Sequence, residues 1–351
     1  MLPVEKPYLI AETAFHHQGD IEFLLKLIDN AALIGADAIK FHLLFDLEDY
    51  MIATHQAYKA LEELMIPIPR WTEVINYAIK KQLDIICLCN DVKSIKWVSD
   101  NFNDIKAIEL HAVGINDTFL LREAAQFDGT IILGSGGSSL DEIQYAVDIL
   151  KGLNKDDIFL MHGFQNYPTD YKDIVFSKMS ALHSLFNLPI GYADHTDPED
   201  EYNTFISVIP QSLGFNVLEK HFTHAYGEKR IDSQAAVSIA KLKEVKSLMD
   251  IVWSTRGDDP LAMSIAEKKY GDTGPMKKAI VARKFIEKGK QIKLDDVAFK
   301  RTNHSAMIKQ KDLPLIINSS AREDIQQDET LDFSNVEYNF NLAEFSQFFN
   351  K

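Results

Sequence analysis

"YLIAETAFHHQGDIEFLLKLIDNAALIGADAIKF", residues 8–41, holds the pattern that decides the fold. "YLIAE" (8–12) is a short apolar run closed by Glu12. "DIEFLLKLIDNAALIG" (20–35) has an apolar stripe at helical spacing and ends in Gly35, a residue suited to a helix C-terminal cap. "AIKFH" (38–42) is a second short run, interrupted by Lys40 and His42.

The same alternation continues outward through "DIICLC" (84–89), "AIEL" (107–110), "TIILGS" (130–135), "IFLMHGF" (158–164), "PIGYAD" (189–194) and "NVLEKHF" (216–222). The runs are continuous rather than alternating, as strands of a parallel sheet covered by helices should be. Helical patterns lie between them, among them "PRWTEVINYAIKKQ", "SLDEIQYAVDILKG" and "DIVFSKMSALHSLF". Eight β-α units in roughly 250 residues predict an α/β fold, a (β/α)₈ TIM barrel. An open doubly wound sheet is the alternative, and the absence of a glycine-rich fingerprint after the first strand weighs against it.

The chain has 351 residues, 46% hydrophobic and 25% charged, an ordinary folded composition. A net charge of −15 disfavours nucleic acid and anionic membrane as partners. Cys87 and Cys89 share one apolar run and offer no disulfide framework. "MLPVEKPYLIAE" does not read as a signal peptide, and no apolar run approaches the ~20 residues of a membrane span. These features together place the protein in the cytoplasm.

After about residue 255 the pattern changes. The expected division is a barrel domain over 1–262, a linker over 263–276, a small β-rich module over 277–337 and an aromatic tail over 338–351. Within the module, "EKGK" reads as a turn and "LDD" as a short helix or turn.

In such barrels the site lies at the C-terminal ends of the strands. Of the 11 histidines, eight fall at or just after a predicted strand end: His16, His17, His42, His111, His162, His195, His221 and His224. Any one of them is as readily a core histidine; the group reads as a site. "GYADHT" and "LEKHFTH" end neighbouring strands with His195 and His221, close enough to share one divalent ion with water and a carboxylate. That ion would act as a Lewis acid on a carbonyl oxygen. Lys40, inside an apolar strand, calls for an anion, a Schiff base or a buried pair. Tyr167 is equally a substrate contact or a turn-packing residue before Pro168, and "GSGGSS" (134–139) equally an anion cradle or a plain loop. In "AIELHAVG" (107–114), Glu109 and His111 share one side of a strand and need a partner if buried.

"YLIAETAFHHQGDIEFLLKLIDNAALIGADAIKF", "NYPTDYKDI", "PIGYADHT" and "LEKHFT" together resemble the sialic acid synthase family, which includes legionaminic and pseudaminic acid synthases and spore-coat relatives. "AIVARKFIEKGKQIKLDDVAFKR" resembles that family's C-terminal antifreeze-like (SAF) domain. The resemblance implies condensation of phosphoenolpyruvate with the aldehyde of an N-acetylated amino sugar to a 2-keto acid. It implies a divalent metal, Mn²⁺ foremost with Mg²⁺, Fe²⁺ or Zn²⁺ as alternatives, and a domain-swapped homodimer. By position, His195 and His221 match metal ligands and Lys40 a phosphoenolpyruvate-binding lysine. Glu12, Tyr167, Glu219 and Asp232 match site-lining residues, with Glu12, Lys40 and Glu219 as the catalytic set. Arg301 matches an arginine that reaches the sugar's N-acetyl group across the dimer.

The departures gather on the phosphate side. Glu109 stands where relatives carry a phosphate-binding lysine, Ala112 at a serine, Cys89 at a threonine and Ala193 at a serine. His16 replaces Asn, His42 replaces Gln, Gln165 replaces Asn, and "RID" with Arg230 and Ile231 replaces "GPD". A unit charge ~4 Å from a phosphate is worth about 4 kcal/mol at an effective dielectric of ~20, so exchanging Lys for Glu is nominally a swing of roughly twice that. A protonated His111 would offset Glu109, and Lys229 or Arg230 would supply another phosphate contact. Three functions stay open: a synthase with a rearranged phosphate site, a metal-dependent barrel enzyme with a different substrate pair, and a non-catalytic sugar-binding paralogue.

Overall fold

The structure is a computed structural model and describes residues 2–164, 166–257 and 259–338. Gln165 and the aromatic tail beyond 338 lie outside the described residues. Two compact units divide the chain, Met1–Gly257 and Asp258–Lys351.

Eight parallel strands build the first unit: β1 Tyr8–Glu12, β2 Ala38–Leu43, β3 Asp84–Cys89, β4 Ile105–Leu110, β5 Thr130–Gly134, β6 Ile158–His162, β7 Ile190–Asp194 and β8 Val217–Thr223. They pair in chain order, and β8 returns to β1, with Glu12 opposite His221, so the sheet closes. The expected TIM barrel is the observed fold.

Outward-facing residues of the strands, such as Leu9, Ile39, Cys87, Ile108 and Ile131, pack under the helices. The main helices are α1 Ile21–Ile34, α2 Ile68–Lys80, α3 Val92–Asn101, α4 Thr118–Ala124, α5 Leu140–Gly152, α6 Phe176–Phe186, α7 Asn203–Ser212 and α8 Ile239–Arg256. Helix α1 begins at Asp20, whose side chain accepts from the Phe23 N–H, and buries Phe23, Leu24, Leu27, Ile28, Ala31 and Ile34. It stops at Gly35, whose φ of 77° is the left-handed conformation that glycine adopts without a Cβ penalty. The run "DIVFSKMSALHSLF", read as one helix, is divided by Val175 at φ 49°, with Tyr171–Ile174 before it and α6 after it.

Inward-facing residues form a second, smaller core of Tyr8, Ile10, Ala38, Ile86, Ala107, Ile132, Phe159 and Val217, floored by Leu2. Side chains two positions further along each strand point the same way, so the next layer is already fixed. Ile10 leads to Glu12, Ala38 to Lys40, Ala107 to Glu109 and Val217 to Glu219. The polar layer therefore rests on a sealed apolar one.

The second unit contains a short helix Ile265–Tyr270, inside the stretch expected as a linker, and an antiparallel pair, β9 Ala279–Ala282 with β10 Val297–Lys300. The "EKGK" turn carries Gly289 at φ 80°, and "LDD" is a single 3₁₀ turn. Ile280, Ala282, Ile286, Ile292, Val297, Ile308, Ile316, Ile325, Leu331 and Val336 make its own core. Among the described residues no helix is long and apolar enough to cross a membrane.

Candidate active site at the barrel mouth

A cavity of about 350 Å³ opens at the C-terminal ends of the strands. Its lining follows the two-residue step around the barrel: Glu12, Lys40 and His42, Leu88, Glu109 and His111, Gly134 and Gly136, Met161 and Gly163, Ala193 and His195, Glu219 and His221. Ala112, Val113, Gly137 and Phe164 complete the wall.

The floor is an ion cluster. Lys40 Nζ lies 2.7 Å from Glu12 Oε2, 2.8 Å from Glu109 Oε2 and 2.7 Å from Glu219 Oε2. All four side chains are buried. Burial alone would lower the Lys40 pKa, but the charges of Glu109 and Glu219 outweigh it and the net shift is upward. Burial, assisted by the Glu219 charge and opposed by Lys40, pushes Glu109 up to about 7. Three carboxylates against one ammonium leave a formal charge of −2. Glu12 is fixed further by the Ala14 N–H, which donates to Oε1 at 2.7 Å, and by His42 Nε2 at 3.2 Å from the same oxygen.

The expected mutual neutralisation of Glu109 and His111 is not what forms. Strand β4 ends at Leu110, and His111 Nδ1 accepts from the Val113 N–H at 3.2 Å as the cap of a 3₁₀ turn. Burial, followed by the Lys40 charge, lowers His111 to about 4, so it brings no positive charge to Glu109.

Above the floor, His195 Nε2 and His221 Nε2 approach to 3.2 Å. That separation matches two imidazoles each about 2.1 Å from one ion at an angle of about 100°. Both rings leave Nδ1 buried without a hydrogen bond. Burial holds His195 down to about 4 and His221 well below its usual value, the neutral form a metal needs. No third His, Cys, Asp or Glu joins them as a three-ligand set among the described residues, so the carboxylate expected beside them is absent from the set. The residues fit an ion that keeps positions open for water and substrate oxygens. Asp194 and Lys220, one residue before each histidine, point outward and pair with each other. Asp194 also accepts from the Thr196 N–H and the Ser207 hydroxyl, which anchors the end of β7 beneath His195.

Tyr167 packs its ring edge-on to His195 at 5.6 Å and His221 at 6.3 Å. Its hydroxyl is buried without a partner, and burial, then Asp232 and Glu219, raise its pKa. Asp232 stands at φ 61°, accepts weakly from the Phe15 N–H at 3.5 Å, and is raised in pKa by burial. His16 is fully buried with both ring nitrogens unpartnered, 5.9 Å from the His221 ring, and burial lowers it to about 3.

Within the first unit, Arg230 and Cys89 do not line this cavity. The Arg230 guanidinium stacks 3.7 Å over Phe23 and donates to the His16 carbonyl at 2.9 Å. Cys89 lines a neighbouring cavity with His55 and His111. Arg301, in the second unit, is exposed and donates through Nε to the Pro275 carbonyl at 2.8 Å. The Met161–Phe164 wall was not anticipated, although Gly163 directly after a strand marked a close approach. A Cβ at Gly163 would run into the Ala193 carbonyl, and its φ is 141°.

With this geometry in place, comparison with known proteins is direct. The model of the NeuB family matches residues 27–260, more than half of the chain. An uncharacterized protein of Methanocaldococcus jannaschii, MJ1065, is 28% identical over 93% of this chain and 94% of its own. The N,N'-diacetyllegionaminic acid synthase of Campylobacter jejuni is 26% identical over 92% of this chain and 98% of that enzyme. The N-acetylneuraminic acid (sialic acid) synthetase of Leptospira borgpetersenii, solved with citrate, shares the fold at a TM-score of 0.68 and 24% identity over 76% of this chain and 90% of that one. The chain belongs to the NeuB family and is a sialic acid synthase-like member of it.

Proposed function

We propose that this chain is a sialic-acid-type synthase that joins a three-carbon donor to the open-chain aldehyde of an N-acetylated amino sugar, forming a 2-keto acid. The observation that carries this reading is the His195–His221 pair at 3.2 Å, at the mouth of a barrel whose family relatives include a legionaminic acid synthase. A divalent ion held there, Mn²⁺ foremost, supplies Lewis-acid polarisation of a carbonyl oxygen. The chain's own residues do the rest. Tyr167 offers an unpartnered buried hydroxyl to a substrate oxygen. Glu12 and Glu219 flank the reacting centre and exchange protons with it. Gly134 at the end of β5 and Gly163 just after β6 let the substrate approach the strand ends. A homodimer in which Arg301 of one chain serves the site of the other belongs to the same reading, supported by the SAF resemblance of residues 277–337.

The donor separates two versions of this activity. The family resemblance favours phosphoenolpyruvate, with Lys40 as its anion contact. The three carboxylates already around Lys40 favour a donor that does not need that lysine. Incubation with Mn²⁺, a panel of N-acetylated hexosamines and each candidate donor tests the proposal. Formation of a 2-keto acid supports it; no product from any pairing by metal-loaded, folded protein rejects it.

A further inference from the structure

The donor can be argued further, resting on the condensation reading above. Among the described residues of the first unit, Lys40 is the only lysine or arginine lining the cavity, and its ammonium is within 2.8 Å of all three carboxylates. With all three carboxylates ionised the floor carries a formal −2, which a divalent ion on the histidine pair would bring to zero. A phosphate ester that also bears a carboxylate carries two to three negative charges at neutral pH and finds no free cationic side chain among the described first-unit residues of the lining. A 2-oxo acid carries one.

A donor without an enol phosphate must lose a C–H proton before its carbon can attack. Glu109 is placed to take it. Its Oε2 is held by Lys40 at 2.8 Å, while no described residue donates a hydrogen bond to Oε1, and the side chain lines the cavity. Glu12 is less free, because its Oε1 already accepts from the Ala14 N–H. Glu219 sits on β8 two residues from His221. The upward shift of Glu109 to about 7 matches a group that takes and returns a proton near neutrality.

We propose that the cavity takes an unphosphorylated 2-oxo acid of the pyruvate type as donor, with Glu109 as the base that deprotonates its methyl carbon. The C–H bond breaks, its electron pair stays on carbon, and the proton goes to Glu109. The carbon–carbon bond to the aldehyde then forms, and the aldehyde oxygen becomes a hydroxyl by taking the proton back from Glu109. No phosphate leaves and no water is consumed.

The test uses the full chain with Mn²⁺ and pyruvate in D₂O, without aldehyde, following the methyl signal by proton NMR. Methyl exchange should be at least tenfold faster with the native protein than with Glu109→Gln. Glu109→Asp should retain slow exchange and guards against a misfolded Gln variant. By calorimetry without metal, pyruvate should bind at least tenfold more tightly than phosphoenolpyruvate, and Glu109→Lys should reverse that order. Exchange no faster than without protein, equal exchange in native and Glu109→Gln proteins, or tighter binding of phosphoenolpyruvate by the native protein overturns the proposal. Phosphate release from phosphoenolpyruvate with product formation overturns the donor assignment and leaves condensation standing. Glu109-dependent exchange without condensation of any aldehyde does the opposite.

Discussion

Lys40 Nζ and Glu109 Oε2 lie 2.8 Å apart across the barrel mouth, on β2 and β4, with β3 between them. Neither side chain is near the other in sequence, and closure of the barrel brings them together. With Glu12 and Glu219 they form a buried cluster whose only cation among the described residues is the lysine. Burying ions is costly unless each has its partner, so the cluster depends on that one ammonium.

Lys40→Met should therefore destabilise the first unit by about 3–5 kcal/mol near pH 8, because it leaves three carboxylates buried without a counter-charge. The loss should shrink as pH falls and the carboxylates protonate. Urea denaturation of both proteins at pH 8 and pH 6 measures it. A loss below about 1 kcal/mol at pH 8 would mean the cluster is open to water.

Gly163→Ala should cost at least about 2 kcal/mol, since the new methyl meets the Ala193 carbonyl and φ is 141°. The same substitution should weaken sugar binding by pushing β6 away from β7 at the mouth. Thermal unfolding and calorimetry read the two effects. Gly137→Ala, at φ 74° with nothing within 4 Å, should be strained only in its backbone and cost less.

Acid should destabilise the protein above the pH range in which ordinary carboxylates titrate. His16, His17 and His111 are lowered by burial to about 3, 4 and 4, against ~6.5 in an unfolded chain. Their contribution is whole above pH ~6.5 and is lost as pH falls toward 4, because the unfolded chain binds the protons. Glu109 runs the other way: raised to about 7 from an unfolded value near ~4.3, it contributes below ~4.3 and loses that contribution as pH rises to 7. Among these four groups the three histidines outweigh the one carboxyl, and together they contribute a loss of about 2 kcal/mol per pH unit near pH 5.5. Urea midpoints measured from pH 5 to 7 should fall with acid; a flat profile would show that these rings are solvated in the native state.

One Mn²⁺ should bind per chain, and His195→Ala or His221→Ala should each weaken it by roughly 100-fold or more, since the described residues supply only this pair. Titration followed by electron paramagnetic resonance reads free Mn²⁺ directly. Lys220→Met should weaken binding less, because Lys220 pairs with Asp194 and does not line the cavity.

The barrel was legible because its strands are buried on both faces and therefore read as continuous apolar runs; "DIICLC" at 84–89 coincides with β3. The histidine pair was legible because a strand end fixes where a site can lie. The partners of Lys40 were not. They come from β1, β4 and β8, and their meeting depends on barrel closure and side-chain reach, which local sequence does not encode. Glu109 and His111 looked like a pair because they stand two apart, yet the strand ends between them and His111 turns to its own backbone. Val175 gave no signal either, since a β-branched residue is a poor candidate for a left-handed conformation.

The most direct test of the central claim is mass-spectrometric detection of product from Mn²⁺-loaded protein, an N-acetylated hexosamine and pyruvate or phosphoenolpyruvate. Either donor leads to the same 2-keto acid, with a mass equal to that of the hexosamine plus pyruvate, so the measurement does not presuppose the donor. The expected result is that mass, lost in His195→Ala. Its absence with every hexosamine and both donors, from protein that binds Mn²⁺ through His195 and His221, would contradict a synthase at this site.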